Sequence, residues 1–152
     1  MHALRKNNIE DSIERSLQFT NIAIISDNFS RDSPALGDMK GLIRRGYNVY
    51  PINQEMAAND SKLDRKEVFE SVSELEDEIQ IVVVHVTSER MNDVIQDLSL
   101  RTELWADVRT LWIEPDIDIP KQILSDAHDF GWMVVENRCI LAEVLERNIS
   151  HI

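Results

Sequence analysis

One segment in the first third of the chain, residues 21–53, has the pattern of a strand, a polar loop, a helix and a second strand. Residues 21–25 are short and mostly apolar, as in a parallel strand that is buried on both faces. Ser33, followed by a proline, offers a helix N-cap, and Gly46 predicts the end of the helix before a second strand over residues 47–52. This order is the first half of a nucleotide-binding βαβ unit.

The loop between that strand and that helix, residues 26–33, contains no glycine and is rich in Ser, Asp and Asn. Dinucleotide-binding folds place glycines here so that backbone N–H groups can approach a pyrophosphate at the helix N-terminus. The sequence therefore predicts the architecture of a nucleotide site without the usual contacts to phosphate.

The rest of the chain alternates between strand and helix patterns. Further strands are predicted over residues 79–86, 108–113 and 132–135, and helices over 9–19, 88–100, 119–130 and 140–148. The polar residues 54–65 predict a loop, and residues 66–72 a short strand or a helical turn. This alternation predicts an α/β fold: a Rossmann-like, doubly wound parallel sheet of about five strands with helices on both faces. We expect one domain over residues 1–152, with a helical extension at 1–19 and a core at 20–147.

Composition narrows the class of protein. The 152 residues carry a net charge of −12, which argues against nucleic acid and anionic membranes as partners because both require a basic surface. No apolar run approaches the roughly 20 residues of a membrane span. The single cysteine, Cys139, suits a reducing compartment, so we expect a cytoplasmic protein.

One stretch is locally basic. Between Arg31 and Arg45 the chain has four basic residues against two acidic ones. The basic residues are Arg31, Lys40, Arg44 and Arg45. They form either a solvated helix face or a landing site for a phosphorylated ligand.

In open parallel sheets, ligands bind beyond the carboxyl ends of the strands. The polar residues that follow the predicted strands are therefore candidates for a site. They are Ser26, Asp27, Asn28, Asn53, Gln54, His85, Thr87, Ser88, Glu114, Asp116, Glu136, Asn137 and Arg138, with Val86 between them.

Three features at this edge could carry chemistry, and each also has a structural interpretation. His85 could act as an acid or base, or be a hydrogen-bonded structural histidine, and it lacks the neighbours of a metal ligand. Cys139 near a helix N-terminus could have a lowered thiol pKa, or be a small buried hydrophobe. Glu114 and Asp116 could form a carboxylate pair or serve as helix caps, and Asp118 has the position of a cap. We predict no catalytic residue and no metal site.

Several segments together resemble the small stand-alone CoA-binding proteins, which are related to the CoA-binding domain of succinyl-CoA synthetase alpha subunits. The likeness covers residues 21 to 146. It is carried by NIAII followed by SDNFSRDS, by GYNVYPIN, by IVVVHV, by LWIEPDI and by GWMVVENRCI, in this order along the chain.

The chain departs from that family at three loops. The family has a glycine, one residue and a serine after the first strand; either Ser26 replaces the glycine, or Ser26 matches the serine and the glycine is lost, which the match of SDNFSRDS favours. The third-strand loop, usually a Phe-Arg-Arg type, reads His85-Val86-Thr87 here. The fourth, usually Trp-Leu-Gln with a glycine soon after, ends in Glu114. Lost glycines and arginines and gained carboxylates oppose the binding of a polyanion.

The resemblance implies a non-catalytic protein that binds CoA or an acyl-CoA as its cofactor. The first loop would hold the pyrophosphate, and the end of the second strand would help to hold the adenosine. The residues implied are Ser26, Asp27, Asn28, Ser30, Arg31, Ser33, Lys40, Asn53, Val86 and Thr87. The alternative is a degenerate fold that no longer binds CoA and acts as a scaffold, through a protein partner or as a homodimer. An enzyme, such as an acyl-CoA ligase component, is the least favoured, because that chemistry uses a further domain with a phosphorylated histidine.

Overall fold

The computed structural model describes the backbone from His2 to Ile152 and the side chains from Asn8 onward. The strands are β1 (Asn21–Ser26), β2 (Asn48–Ile52), β3 (Lys62–Leu63), β4 (Lys66–Glu67), β5 (Ile81–His85), β6 (Thr110–Ile113) and β7 (Met133–Val135). The helices are α1 (His2–Ser16), α2 (Pro34–Arg44), α3 (Gln54–Ala58), α4 (Met91–Trp105), α5 (Lys121–Phe130) and α6 (Ile140–Glu146), and a 3-10 turn, Ser88–Arg90, precedes α4.

Five parallel strands form the main sheet in the order β2-β1-β5-β6-β7, which confirms the predicted Rossmann-like, doubly wound fold. The chain moves outward from β1 to β2 and then crosses back to β5 on the other side of β1. The strand order therefore reverses between β1 and β5, and this switch point is where such sheets bind ligands. Ser26 lies opposite His85 in the register, so the two strands end together at this point.

The interior consists of two apolar layers, one on each face of the sheet. Alternate residues of β1 enter different layers: Ile22 and Ile24 pack with α1, α2 and α6, whereas Ala23 and Ile25 pack with α4 and α5. This alternation is the period of two that a strand buried on both faces requires. None of the helices in the described part of the chain is long and apolar enough to span a bilayer.

Local sequence signals set the ends of the helices that frame the switch point. The Ser33 hydroxyl accepts a hydrogen bond from the Leu36 N–H (3.2 Å), so Ser33 is the N-cap of α2 as predicted. Gly46 follows the end of α2 at φ +90°, and Gly131 follows α5 at φ +79°. Both glycines take the left-handed conformation that favours glycine at a helix C-terminus.

Two local predictions were wrong. Residues 54–65, predicted as a loop, contain α3 and most of the antiparallel β3–β4 hairpin. The Asn53 side chain caps α3 by accepting a hydrogen bond from the Met56 N–H (2.9 Å). A polar stretch with few apolar residues gives no periodicity from which this short helix could be predicted. Asp118 is not a cap, because α5 begins after Pro120 and has no side-chain cap.

Candidate functional site

A crevice opens at the switch point between β1 and β5. Its cavity of about 320 Å³ is enclosed by the end of β1, the first turn of α2 and the loops that follow β5 and β6. The lining residues are Ser26, Asn28, Ser33, Pro34, Ala35, His85, Val86, Thr87, Pro115, Asp116 and Ile117. The N-terminus of α2 therefore faces a cavity that is open to solvent, as in sites that bind anions.

A second cavity of about 240 Å³ lies beside the first, where β1 and β2 end against α4. Its wall is made of Ile25, Ser26, Asp27, Ile52, Asn53, Gln54, Glu70, Ser71, Arg90, Asp93, Val94 and Asp97. Ser26 lines both cavities, so both border the end of β1.

The loop from β1 to α2 is held by its own polar side chains. The Ser26 hydroxyl accepts the Asn28 N–H (3.0 Å) and donates to the Asn28 carbonyl (2.9 Å). The Asn28 side-chain oxygen accepts the Ser30 N–H (2.9 Å), and the Ser30 carbonyl accepts the Ser33 N–H (2.9 Å). These turns give the loop a fixed shape without glycine, because Ser and Asn side chains replace backbone partners.

The structure brings together most, but not all, of the site residues predicted from the sequence. Seven of them line one cavity or both: Ser26, Asp27, Asn28, Ser33, Asn53, Val86 and Thr87. Ser30 and Arg31 lie on the exposed rim of the loop. Lys40 instead pairs with Asp64 in the turn of the hairpin (3.6 Å), away from both cavity walls.

The basic residues between 31 and 45 do not form one patch. Arg31 lies before α2, whereas Arg44 and Arg45 lie at its far end, and a helix of 11 residues is about 16 Å long. The Arg45 guanidinium donates to the Asn148 side chain and to the Ile149 carbonyl (3.4 Å each). Of these basic residues, Arg31 alone is therefore left to contact a phosphorylated ligand near the start of α2. It has no ion-pair partner among the described residues.

Asp27, the acidic residue of the loop, is paired. Its Oδ1 lies 2.5 Å from Nη1 of Arg90, which comes from the 3-10 turn before α4. Arg90 also pairs with Asp93 (3.4 Å). The wall of the second cavity is therefore mostly acidic but contains one cation, Arg90, which the sequence analysis did not predict as a site residue.

A polar cluster lies behind the crevice, between the sheet and α2 and α6. His85 Nε2 lies 2.8 Å from Oδ2 of Asp38 and 3.4 Å from Oε1 of Glu114. The Cys139 thiol lies 3.6 Å from the other oxygen of Asp38. Asp38 was missed as a site residue; its signal is a carboxylate at position 38 among the buried residues 35, 36 and 39 of α2.

Burial raises the pKa of two members of this cluster, Glu114 and Cys139. Desolvation, and then the hydrogen bond and charge of Asp38, raise the pKa of the Glu114 carboxyl to about 9, although the Ile140 N–H opposes the shift. Desolvation also raises the pKa of the Cys139 thiol to about 11. The suggestion of a lowered thiol pKa at a helix N-terminus was therefore wrong.

Glu114 and Asp116 do not form the carboxylate pair considered from the sequence. Glu114 turns inward to Asp38, and Asp116 is exposed, with φ at +67° and its N–H donated to the Asn137 side chain (3.3 Å). The loop after β6 thus separates the two carboxylates, because Pro115 and the left-handed Asp116 reverse the chain between them.

These features define a Rossmann-like protein with an open crevice at the switch point of its sheet. The family model described as CoA binding domain matches residues 20–144, and the chain belongs to this family. No curated protein matches the sequence significantly.

Solved structures with the same fold come from archaea and bacteria. A hypothetical protein from Pyrococcus horikoshii is 21% identical, with a TM-score of 0.77, over 91% of this chain and 90% of that one. A Thermus thermophilus protein is 22% identical, with a TM-score of 0.77, over 90% and 96%. A dinucleotide-forming acetyl-coenzyme A synthetase from Ca. Korarchaeum cryptofilum, in complex with phosphate and ADP, is 20% identical, with a TM-score of 0.64, over 82% of this chain and 27% of its own. At these identities the likeness supports the fold.

Proposed function

We propose that this protein binds CoA or an acyl-CoA in the crevice at the switch point and performs no chemistry on it. The observation that carries the proposal is the match of the CoA binding domain over residues 20–144, with an open cavity of about 320 Å³ at the N-terminus of α2. The single free cysteine is consistent with a cytoplasmic protein.

The pyrophosphate would lie against the loop from β1 to α2. Its charge is met by the positive end of the α2 dipole and by the exposed guanidinium of Arg31. Ser26 and Asn28 act on the shape of the loop, since their side chains are engaged within it. The pairing of Asp27 with Arg90 supports the same function, because it partly neutralises the carboxylate beside the anion.

The adenosine would occupy the second cavity, which shares Ser26 with the first. Its wall contains the carboxylates of Glu70, Asp93 and Asp97, of which Asp93 pairs with Arg90 and Asp97 accepts the N–H groups of Val72 and Ser73. Carboxylate oxygens accept hydrogen bonds from ribose hydroxyls and from the adenine amino group. An acidic wall therefore fits the adenine and the free 2′-hydroxyl of the ribose. The 3′-phosphate that CoA carries on the same ribose would have to point away from these carboxylates, towards solvent or Arg90.

The state of the reactive side chains supports the proposal that the protein performs no chemistry. The Cys139 thiol has a raised pKa, so the nucleophilic thiolate is scarce at neutral pH. Its neighbour is the carboxylate of Asp38, at 3.6 Å. His85 is directed to Asp38 and Glu114. Neither residue is arranged as a nucleophile with its base.

Isothermal titration with CoA tests the proposal. We expect saturable binding, weakened about tenfold by Arg31→Ala, because a charged hydrogen bond contributes about 1.5–3 kcal/mol before solvent screening. Arg44→Ala is the matched control, since Arg44 is exposed on the far end of α2. Absence of heat at millimolar CoA, or equal losses in the two variants, would contradict the proposal.

A second candidate function, protein association, is favoured by one observation. Four large apolar side chains on α4 and α5 are exposed: Leu100 (47%), Leu104 (65%), Trp105 (46%) and Phe130 (37%). Analytical ultracentrifugation tests whether this surface forms a homodimer, with Leu104→Lys as the disrupting variant. A monomer at all concentrations would leave CoA binding as the function.

A further inference from the structure

The geometry points to a binding site for a divalent transition-metal ion, of the zinc class, formed by Asp38, His85 and Glu114 at the floor of the crevice. One ligand atom from each residue lies within 4.8 Å of the others. The three residues come from α2, from the end of β5 and from the residue after β6. The inference does not depend on CoA binding.

The first argument is the charge of the cluster. The side chains of Asp38 and Glu114 are only 6% and 3% exposed. Among the residues with described side chains, neither carboxylate pairs with a lysine or an arginine, and His85 is the one basic group that reaches them. Two adjacent carboxylates that are buried together are stable when they share a proton, as the raised pKa of Glu114 indicates for the metal-free protein, or when a cation lies between them. A divalent cation at this position replaces that proton.

The second argument is distance. His85 Nε2 lies 2.8 Å from one carboxylate oxygen and 3.4 Å from the other. Ligands held at about 2.0–2.1 Å from a tetrahedral zinc ion are about 3.3 Å apart. The two separations from His85 Nε2 therefore differ from this value by about 0.5 Å or less, and all three ligand atoms lie within 4.8 Å of one another.

The surroundings provide support and access. The second oxygen of Glu114 accepts the Ile140 N–H (2.9 Å), which fixes the carboxylate as outer hydrogen bonds fix metal ligands. His85 also lines the open cavity, so an ion can enter from the crevice. Cys139 Sγ lies 3.6 Å from Oδ1 of Asp38 but outside the group of ligand atoms within 4.8 Å of one another, so it becomes the fourth ligand only if its side chain turns towards the ion. Otherwise a water from the crevice takes that position.

The donor set defines the class of metal. An imidazole and two carboxylates, with a thiol beside them, suit zinc and cobalt, whereas Mg²⁺ and Ca²⁺ prefer oxygen ligands alone. We therefore expect the chelator-treated protein to bind one equivalent of Zn²⁺ at micromolar concentration, with a higher Tm, and to show no rise in Tm with Mg²⁺.

Titration of that protein with ZnCl2, followed by calorimetry and by Tm, tests the site. Asp38→Asn and Glu114→Gln should each weaken Zn²⁺ binding at least tenfold and abolish the rise in Tm. Asp116→Asn is the matched control, because Asp116 is an exposed carboxylate at the crevice two residues after Glu114. Zinc binding that survives in both cluster variants would overturn the inference, as would no binding to the wild-type protein at millimolar zinc.

Substitution with Co²⁺ keeps the test decisive if those variants fail to fold. Tetrahedral cobalt in the wild-type protein gives an intense visible spectrum, and a thiolate ligand adds a charge-transfer band that Cys139→Ser removes. A spectrum equal to that of cobalt in buffer would refute the site. An intense visible spectrum that lacks the thiolate band would support it, with water as the fourth ligand.

Discussion

The guanidinium of Arg101 and the carboxylate of Asp107 form a buried, two-point ion pair: Nη2 lies 2.6 Å from Oδ2, and Nε lies 3.1 Å from Oδ1. Arg101 has no exposed surface, and Asp107 is 7% exposed. The same guanidinium donates to the carbonyls of Leu75 and Asp77. The pair thus fixes the segment before β5 against the end of α4.

We expect Arg101→Met to lower the free energy of unfolding by roughly 3–5 kcal/mol, because it leaves the Asp107 carboxylate buried without its partner. Urea denaturation measures this change. Arg109→Met is the control, since Arg109 is exposed and a surface change there should stay within about 0.5 kcal/mol. Equal stabilities of the two variants would contradict the importance of the pair.

The two glycines inside α2 should respond differently to alanine. A Cβ at Gly37 meets no atom within 4 Å, so Gly37→Ala should raise stability by about 0.5–1 kcal/mol through helix propensity. A Cβ at Gly41 would lie 2.5 Å from Cδ2 of Leu141 on α6, so Gly41→Ala should bring no such gain. Leu141→Ala should restore the gain at position 41. Thermal unfolding of the single and double variants measures all three effects, and a stabilising Gly41→Ala alone would show that α6 yields.

Both tyrosines should remain protonated at pH values where free tyrosine ionises. Burial, and then the hydrogen bond and charge of Asp77, raise the pKa of Tyr50 to about 12, and burial raises the pKa of Tyr47 still further. The protonated form is the one that folding favours. The contribution of Tyr50 to stability is therefore complete below pH 10 and is lost as the pH rises through about 12.

Ultraviolet absorbance of tyrosinate measures this titration. Asp77→Asn should move the ionisation of Tyr50 to lower pH, because the Tyr50 hydroxyl donates to Oδ2 of Asp77 (2.8 Å). Tyr47 donates instead to the Leu17 carbonyl (2.6 Å) and serves as the internal control. A common shift of both tyrosines would indicate general loosening of the fold.

Asp27→Asn should raise the affinity for CoA by about two- to fivefold at low salt, because it removes a negative charge beside the phosphates and releases Arg90. The gain should shrink as salt is added. Stability should change by no more than about 1 kcal/mol, since both partners of this pair are partly exposed. Asp118→Asn is the exposed control, outside both cavity walls. Calorimetry at two salt concentrations decides; a weaker complex in Asp27→Asn would mean that the carboxylate contacts the ligand directly.

The sequence predicted the main sheet, the start of α2 and the ends of α2 and α5, because those features depend on local signals. The bounds of α1 and α4 were predicted less well: they span His2–Ser16 and Met91–Trp105, against predictions of 9–19 and 88–100. The serine and proline before α2 and the glycines at 46 and 131 act through bonds and dihedral angles within a few residues. The short α3 and the two-residue strands of the hairpin were missed, since they are too short to show any periodicity.

The candidate site was harder to predict because its members come from distant parts of the chain. The loop residues Ser26, Asn28 and Ser33 follow one strand, and the resemblance sufficed to group them. Asp38 and His85 meet across 47 positions, through packing of α2 on the sheet that no spacing in the sequence encodes. The same burial reversed the expectation for Cys139, because desolvation exceeds the effect of the backbone N–H groups at the start of α6.

The division of the interior into two apolar layers has a consequence for redesign. The polar cluster of Asp38, His85 and Glu114 lies on the face of the sheet that α1, α2 and α6 cover. The opposite face, which α4 and α5 cover, contains none of these residues. Apolar side chains beneath α4 and α5 can therefore be exchanged without contact with the polar cluster, provided that Ile25, Ile52, Val86 and Val94, which also line the two cavities, are kept. Exchanges beneath α2 alter the packing of the core and the surroundings of the polar cluster at the same time.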